Sequence, residues 1–235
     1  MSIDEKYLQS VMRTLAHDMG GALRAASGFS KLLAEQYGEQ LDEKALQWLS
    51  LIRSEGDKAQ QQLKSFSRYA RLHGVDGLSA ACDLDGALQS AQNEPALRSM
   101  LASCSWLTIK VSSLPEVTGS AAMWQLYFTE ILSNIASYTS HGDPVTCSIY
   151  MKEMSDRQVL VIEDDGPGLS MDDVTKAMQP YRSLYSPEKK DSVIAHAGMG
   201  LSLAKRVVDM HLGQFVVCAR PDGFAGLRIE ARLPL

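Results

Sequence analysis

The sequence lacks any apolar run of the roughly 20 residues that a membrane-spanning helix needs. It also lacks an excess of basic residues, since 23 Lys and Arg stand against 28 Asp and Glu and give a formal net charge of -5. This charge balance supplies no general field that would attract nucleic acid or an anionic membrane surface. We therefore expect no nucleic-acid partner and no membrane segment in this chain.

Cysteine is scarce, with 4 residues scattered along the chain and no Cys-x-x-Cys pair among them. This spacing fits neither a zinc site nor a disulfide framework, so we expect reduced thiols. The first ten residues, MSIDEKYLQS, also lack the basic and then apolar pattern of a secretion signal. Together these features predict a cytoplasmic protein.

Two long amphipathic helices are predicted at the start of the chain. Apolar residues recur at alternating steps of four and three from Leu8 to Leu33, and again from Ala45 to Ala70, as in a heptad repeat. The polar stretch 37–44 separates the helices, and Asp42 is the predicted N-cap of the second. An isolated antiparallel pair buries two such stripes poorly, so we predict a homodimer whose two hairpins form a four-helix bundle. The alternative is an intramolecular coiled coil that caps the rest of the chain. Small residues predicted to allow close approach at the seam are Ala22, Ala26, Gly56 and Ala59.

The first helix carries a His-Asp pair at a position with no packing role. When Leu15 and Met19 occupy heptad positions d and a, His17 falls at f, the point farthest from the seam. A neighbouring Asp18 accepts the hydrogen of one ring nitrogen, which fixes the tautomer and makes the other nitrogen more nucleophilic. The simpler alternative is a surface histidine without a function, because most exposed pairs of this kind contribute nothing.

The pattern changes to mixed helices and strands from about Asp83 onward. Strands packed under a layer of helices give a two-layer α/β sandwich, and with the hairpin this is an α + α/β fold class. The predicted domains are the hairpin 1–72, a linker 73–82 and the sandwich 83–235. Helices are predicted over 85–102, 120–138 and 199–212, and strands over 107–111, 145–151, 159–163, 215–219 and 227–233.

Three segments of the second domain carry potential chemistry. VIEDDGPGL, 161–169, is a strand that ends in acid and a Gly-Pro-Gly turn, where backbone approaches a ligand closely and an aspartate can accept a hydrogen bond from an exocyclic amine. AGMGLSLAKRVV, 197–208, is a glycine turn leading into a helix N-terminus, which suits an anion. In TEILSNIASYTS, Glu130 and Asn134 lie one turn apart and offer oxygen ligands for Mg²⁺. Taken singly, each segment is also compatible with a purely structural turn or helix flank.

The order of these segments is more specific than any one of them. The chain shows LAHDMGGALR, EILSNIASYTSHG, EDDGPGL, AMQPYRSL, AGMGLSL and VVDMHLGQF in succession. This series resembles the catalytic core of two-component sensor histidine kinases, in which a dimerisation and phosphoacceptor hairpin precedes an ATP-binding domain of the gyrase, Hsp90 and MutL type (the Bergerat fold). The first segment resembles the HDLxxPLR boxes of phytochrome-like kinases.

The resemblance implies an ATP-dependent protein histidine kinase that uses ATP and Mg²⁺. It implies that His17 accepts the phosphoryl group, that Asp18 orients the histidine and takes its proton, and that Asn134 ligates Mg²⁺. It implies that Asp164 binds adenine and that a lid over about 179–199 covers the nucleotide. Further residues expected at the nucleotide are Tyr138, Gly166, Gly168, Arg182, Gly198, Gly200 and Leu201.

The resemblance also implies partners. The phosphoryl group would pass to an aspartate on a response-regulator receiver domain. Because the chain shows no sensor domain, we expect the input to come from an upstream sensor domain or protein.

Four departures from the family pattern affect these expectations. Ser137 replaces a basic residue near the triphosphate, Ser202 replaces a third glycine, and Met178 stands where a phenylalanine is common. Gly21 replaces a water-positioning Thr, Asn or Gln, and Ala22 replaces a proline. We therefore expect weak phosphatase activity toward the partner. Two other functions remain open: an ATPase of the same superfamily, with Glu130 activating water, and a phosphotransfer scaffold with a weakened ATP site.

Overall fold

The computed structural model of the protein describes residues 3–72, 80–139, 143–179, 198–220, 223 and 225–235. These residues fall into two compact units, one made of residues 3–72 and the other of residues from 80 onward. No helix within these described ranges combines the length and apolarity needed to cross a membrane. Most of the predicted linker, residues 73–79, lies outside the described residues.

The first unit is an antiparallel helical hairpin, as predicted. Helix α1 spans Ile3–Tyr37, a short 3-10 turn spans Gly38–Gln40, and α2 spans Glu43–Arg71. The predicted N-cap is present, since Asp42 Oδ1 accepts the backbone N–H of Ala45 at 2.7 Å.

The interior of the hairpin differs from the predicted seam. Gly20, Ser27 and Ser30 are buried on α1, and Gly56 is buried on α2, where a Cβ would overlap Ser27 Oγ. Glycine and serine let the two backbones approach closely, so the contact between the helices follows this line of small residues. The predicted grouping of Gly56 with the small residues of α1 at one seam is wrong, because Ala22 and Ala26 are exposed.

The described part of the apolar stripe predicted on α1, from Met19 to Leu33, is therefore exposed within one chain. Large apolar side chains that are exposed on the hairpin are Met19, Phe29, Leu32, Leu33, Tyr37, Trp48, Leu51 and Ile52. Exposed large apolar side chains concentrated on one unit indicate an interaction site in soluble proteins.

The second unit follows the predicted elements with three differences. Pro95 divides the predicted helix 85–102 in two, because proline cannot continue a helix and instead occupies the first turn of the next one. A two-stranded ribbon and a short helix after 170 were not predicted. The elements are β1 (Ala81–Asp83), α3 (Leu84–Gln92), α4 (Pro95–Ser103), β2 (Leu107–Val111), β3 (Glu116–Thr118), α5 (Ala121–Tyr138), β4 (Val145–Glu153), β5 (Arg157–Asp164), α6 (Met171–Ala177), α7 (Gly200–Met210), β6 (Gln214–Ala219) and β7 (Leu227–Pro234).

The main sheet has the order β2-β4-β5-β7-β6, with β2 parallel to β4 and the other pairs antiparallel. Cys147, Ile162 and Ile229 lie on one face of the central strands and are buried, while α5 and α7 supply buried side chains such as Trp124 and Leu203. This arrangement is the two-layer α/β sandwich, so the predicted fold class is confirmed.

A buried histidine ties two helices of the sandwich together. His211, just after α7, has Nδ1 2.7 Å from the Val207 carbonyl oxygen, and its Nε2 accepts the backbone N–H of Ser120 at 3.1 Å. The ring also packs 5.0 Å from the Trp124 ring, centroid to centroid. Burial lowers the pKa of His211, so the neutral ring holds the start of α5 against the end of α7.

Candidate functional site

The hairpin presents His17 on its outer surface. The His17 side chain is 82% exposed and that of Asp18 is 71% exposed, and Nδ1 lies 3.1 Å from Asp18 Oδ1. A carboxylate at this distance accepts the Nδ1 hydrogen, which leaves Nε2 as the unprotonated, nucleophilic nitrogen. The helix continues through Gly20 and Gly21 without a break. The predicted pair is therefore exposed to solvent and held together by a hydrogen bond.

A second group of predicted residues meets at the C-terminal end of α5. Asn134 lies against Gly200, where a Cβ would come within 2.8 Å of Asn134 Nδ2 and 3.0 Å of Oδ1. Only glycine allows this approach, so the start of α7 and the polar position on α5 are held side by side. The geometry joins two segments that are more than 60 residues apart in the sequence.

Asp164 ends β5 on the helix-facing side of the sheet and is 7% exposed. Its Oδ1 accepts the Gly166 N–H at 2.9 Å. Burial raises the pKa of the Asp164 carboxyl, while hydrogen bonds from the N–H groups of Gly166 and Leu227 lower it and the neighbouring Asp165 raises it. A buried carboxylate held by backbone amides is a fixed acceptor, which suits recognition of an exocyclic amine.

Thr139 connects these two groups and was not predicted. This residue caps the end of α5, and a Cβ at Gly166 would lie 2.9 Å from its Cγ2. Its hydroxyl donates to the Ile135 carbonyl at 2.6 Å. Because Asn134 and Thr139 stand at the same end of α5, the loop after β5 and the turn before α7 converge there. The sequence offered no signal for Thr139, since its role follows from packing alone.

The structure describes most of the remaining predicted site residues. Glu130 lies one turn before Asn134 on α5 and is half-buried, as is Tyr138, and Leu201 is in the first turn of α7. Two predicted glycines adopt the left-handed conformation that glycine favours: Gly168 with φ 71° and Gly198 with φ 67°. Arg182 and most of the predicted lid, residues 180–197, lie outside the described residues.

The donors that the structure offers fit a magnesium–nucleotide complex. Within the described ranges, no cluster of three or more His, Cys, Asp or Glu side chains could hold a metal ion alone. Mg²⁺ bound with a triphosphate needs few protein ligands, because phosphate oxygens and waters complete its shell. Asn134, together with Glu130, supplies hard oxygen donors of the required kind.

Ser202, one of the departures from the family pattern, has a structural use. Its hydroxyl donates to the Met178 carbonyl at 3.1 Å, and the side chain is buried. The bond links the first turn of α7 to the residue after α6. Replacing the expected glycine therefore adds an anchor at one edge of the predicted nucleotide site.

Comparison with protein-family models identifies the second unit. Residues 120–235 match the model described as histidine kinase-, DNA gyrase B-, and HSP90-like ATPase. Curated relatives include the cell-division control histidine kinase PdhS of Brucella anthropi, 24% identical over 232 residues that cover 94% of this chain and 21% of the relative. PdhS of Brucella abortus strain S19 is 24% identical over 219 residues, covering 88% of this chain and 21% of the relative. The chain thus spans about a fifth of the length of these relatives.

Solved structures show the same fold. Full-length ShkA in complex with AMPPNP aligns with a TM-score of 0.63 and 18% identity, covering 96% of this chain and 45% of ShkA. The Acinetobacter baumannii histidine kinase AdeS aligns with a TM-score of 0.57 and 13% identity, covering 91% of this chain and 96% of AdeS. The family model, the curated relatives and these folds together confirm the resemblance to a histidine kinase catalytic core.

Proposed function

We propose that the chain is an ATP-dependent protein histidine kinase, because residues 120–235 match the family model described as histidine kinase-, DNA gyrase B-, and HSP90-like ATPase. It phosphorylates His17 and passes the group to an aspartate of a response-regulator receiver domain. The observation that carries the proposal is the exposed His17, with Nδ1 bound to Asp18 and Nε2 open, in the same chain as a family ATP-binding domain.

His17 and Asp18 have different roles in accepting the phosphoryl group. Asp18 holds the Nδ1 hydrogen and stabilises the positive charge that develops on the imidazole as Nε2 bonds to the γ-phosphorus of ATP and the bond to the leaving ADP breaks. Phosphoryl transfer requires positioning and charge neutralisation more than covalent chemistry by the protein. An exposed side chain on a long, regular helix meets that requirement, because different donors and acceptors can reach Nε2 in turn.

The sandwich holds the donor. Asp164 accepts the adenine amine, the glycines at 166, 168, 198 and 200 keep the backbone close to the nucleotide, and the α7 N-terminus faces phosphate. Asn134 and Glu130 hold Mg²⁺, which neutralises charge on the phosphates. Tyr138, Leu201 and Arg182 complete the proposed nucleotide contacts. Hydrogen bonding of the Asp164 carboxylate by backbone amides supports this assignment.

Each of the predicted domains has a separate task. Residues 1–72 serve as the dimerisation and phosphotransfer hairpin, 73–82 as the linker and 83–235 as the catalytic ATP-binding domain. We propose a homodimer, because the exposed stripe of large apolar side chains on the hairpin needs a partner with a matching stripe. An upstream sensor domain or protein supplies the input. Gly21 offers no side chain to position water, so phosphatase activity toward the receiver is weak.

One experiment tests the central assignment. The protein is incubated with labelled ATP and Mg²⁺ beside His17→Gln. We expect acid-labile, alkali-stable label on the native chain and none on the variant. Free phosphate without protein label would instead indicate an ATPase with Glu130 activating water, and absence of nucleotide binding would indicate a phosphotransfer scaffold.

A separate assay tests the phosphatase expectation. Purified phosphorylated receiver is mixed with the native chain in the absence of ADP. We expect the receiver to lose phosphate at its own intrinsic rate, and rapid loss would overturn the expectation.

A further inference from the structure

A basic cleft of about 250 Å³ lies between the two helices of the hairpin, level with His17. Small residues of α1, Ala16 and Gly20, form part of its wall. Three cations line it, Arg24 from α1 and Lys64 and Arg68 from α2, and no carboxylate is among the described residues that line it. Cations from both helices around a small concave space are suited to an anion.

The cleft opens on the same side of α1 as His17. Arg24 follows His17 by seven residues, which is almost two full helical turns, so the two residues share a face. The exposed apolar stripe lies elsewhere, because Met19 and Leu33 are roughly 160–200° around the helix from His17. A partner hairpin on the stripe would therefore not cover the cleft.

Gly20 and Gly21 carry no side chains and so leave room for the Arg24 guanidinium near His17. A Cβ at Gly20 would lie 3.2 Å from Arg24 Nη1, and a Cβ at Gly21 would lie 4.0 Å from Nη2. The guanidinium thus lies back over the turn that directly follows His17, in the direction that helical side chains favour. Residues three or four apart on a helix have Cβ atoms about 5–6 Å from one another, so the cation stands one turn from the acceptor histidine.

Two of the three cleft cations differ in their ion pairing from other basic residues of the hairpin. Lys31 pairs with Glu35, and Lys58 pairs with Glu55, each at 3.6 Å. Within the part of the chain that the structure describes, neither Arg24 nor Lys64 pairs with a carboxylate. Arg24 and Lys64 therefore keep their attraction for an external anion.

We propose that Arg24, Lys64 and Arg68 form a binding site for a phosphoryl dianion and that its occupant is the phosphoryl group carried on His17. This inference rests on the proposed function for the source of that group. Arg24 presents a planar fork that matches phosphate oxygens, and Lys64 adds a point charge from the opposite helix. Gly20 and Gly21 serve the site by leaving room for the guanidinium, which takes the place of a water-positioning side chain.

The first arm of the test measures binding of free anion. Inorganic phosphate is titrated into the full chain and into Arg24→Ala at low salt, while the arginine Nε–H signals are followed by NMR. We expect saturable shifts in the native protein that are weakened several-fold in Arg24→Ala and in Lys64→Ala. Lys58→Ala, which removes one positive charge from the same hairpin outside the cleft, is the matched control and keeps the native response.

The second arm places the phosphoryl group on His17 without ATP. The full chain is phosphorylated with phosphoramidate, and the ³¹P signal that is absent in His17→Gln is titrated with pH. The cations lower the second pKa of the phosphoryl group while Asp18 raises it equally in every variant, so we expect Arg24→Ala to raise that pKa by about half a unit. Arg24→Lys recovers most of the difference, and a shared melting temperature shows that folding is unchanged.

These arms separate the possible outcomes. A response to free phosphate alone assigns the cleft to a diffusible anion and overturns its role beside His17. An unchanged phosphoryl pKa in Arg24→Ala and Lys64→Ala overturns the proposal as well. Neither arm requires the ATP site, so failure of the kinase proposal appears separately, as a chain that takes no label from ATP.

Discussion

The hairpin and the sandwich differ in how much of their apolar surface each buries within one chain. Nearly all of the buried apolar core belongs to the sandwich, where α5 alone contributes Trp124, Tyr127 and Phe128. The hairpin instead packs glycine and serine at its interior and exposes large side chains such as Phe29, which is 66% exposed. The sandwich buries its apolar core within one chain, whereas the described part of the hairpin leaves large apolar side chains exposed.

The difference suits the two tasks that we propose. A nucleotide site needs a fixed acceptor such as Asp164 in a rigid, dry setting. A phosphoacceptor needs access, and His17 lies on a helix whose inner contacts use small residues. Changes to each unit should therefore affect separate properties.

The largest expected effect concerns the hairpin surface. Phe29→Glu places a charge in the predicted dimer interface twice, once per copy, and should raise the dimer dissociation constant about 1,000-fold at roughly 2 kcal/mol per unpaired charge. Sedimentation equilibrium measures the change, with Ser50→Glu as the control, because exposed Ser50 is at least 100° around α2 from Trp48, Leu51 and Ile52. An unchanged dimer dissociation constant would contradict the proposed interface, because the exposed stripe would then have no partner.

Asp164→Asn should have the next largest effect and should leave the dimer intact. Loss of the buried carboxylate removes a charge-assisted hydrogen bond to the adenine amine, which corresponds to about 100-fold weaker ATP binding. Fluorescent nucleotide titration measures this loss. Asp165→Asn is the matched control, since Asp165 is exposed and its Oδ1 accepts the Thr146 N–H. Equal losses in both variants would contradict the assigned role of Asp164.

A smaller effect is expected at Ser202. Ser202→Ala removes the hydrogen bond to the Met178 carbonyl and should lower the free energy of unfolding of the sandwich by about 1 kcal/mol. Urea unfolding followed by tryptophan fluorescence measures it, with the exposed Ser155→Ala as the control. An unchanged free energy of unfolding would mean that the Ser202 hydroxyl does not stabilise the sandwich.

The smallest effect is a dependence of sandwich stability on pH. The His211 pKa is lowered in the folded chain, so the unfolded chain binds a proton first as pH falls below the ordinary value of 6.5. Stability should therefore decline from about pH 6.5 downward and level off below the folded pKa. Unfolding measured between pH 5 and 8 should show a weaker slope in His211→Phe, and an identical slope would assign the decline to other groups.

Local patterns in the sequence predicted most of the fold. Asp42, the strand ending at Asp164 and the helix over 120–138 were all found because capping, alternation and periodicity act over a few residues. The ribbon of β1 and β3 was missed because strands of three residues depend on their pairing rather than on their own pattern. The break at Pro95 was underestimated, although proline disfavours a helical interior.

The candidate site was only partly accessible from the sequence. Motif order brought out Asn134, Asp164 and Gly200, but Thr139 and the Leu227 N–H enter through packing and sheet pairing, which no local pattern encodes. The Arg24 guanidinium over Gly20 was missed for a related reason. The sequence showed a glycine where a side chain was expected, and only the structure showed which cation fills that space.

The most direct test of the account is the location of the phosphoryl group. After reaction with labelled ATP and Mg²⁺, the chain is digested with trypsin at alkaline pH and its peptides are mapped. We expect label in TLAHDMGGALR, the tryptic peptide that contains His17, and no label in Asp164→Asn treated in the same way. Label confined to any other peptide, or equal label in the two proteins, would contradict this expectation.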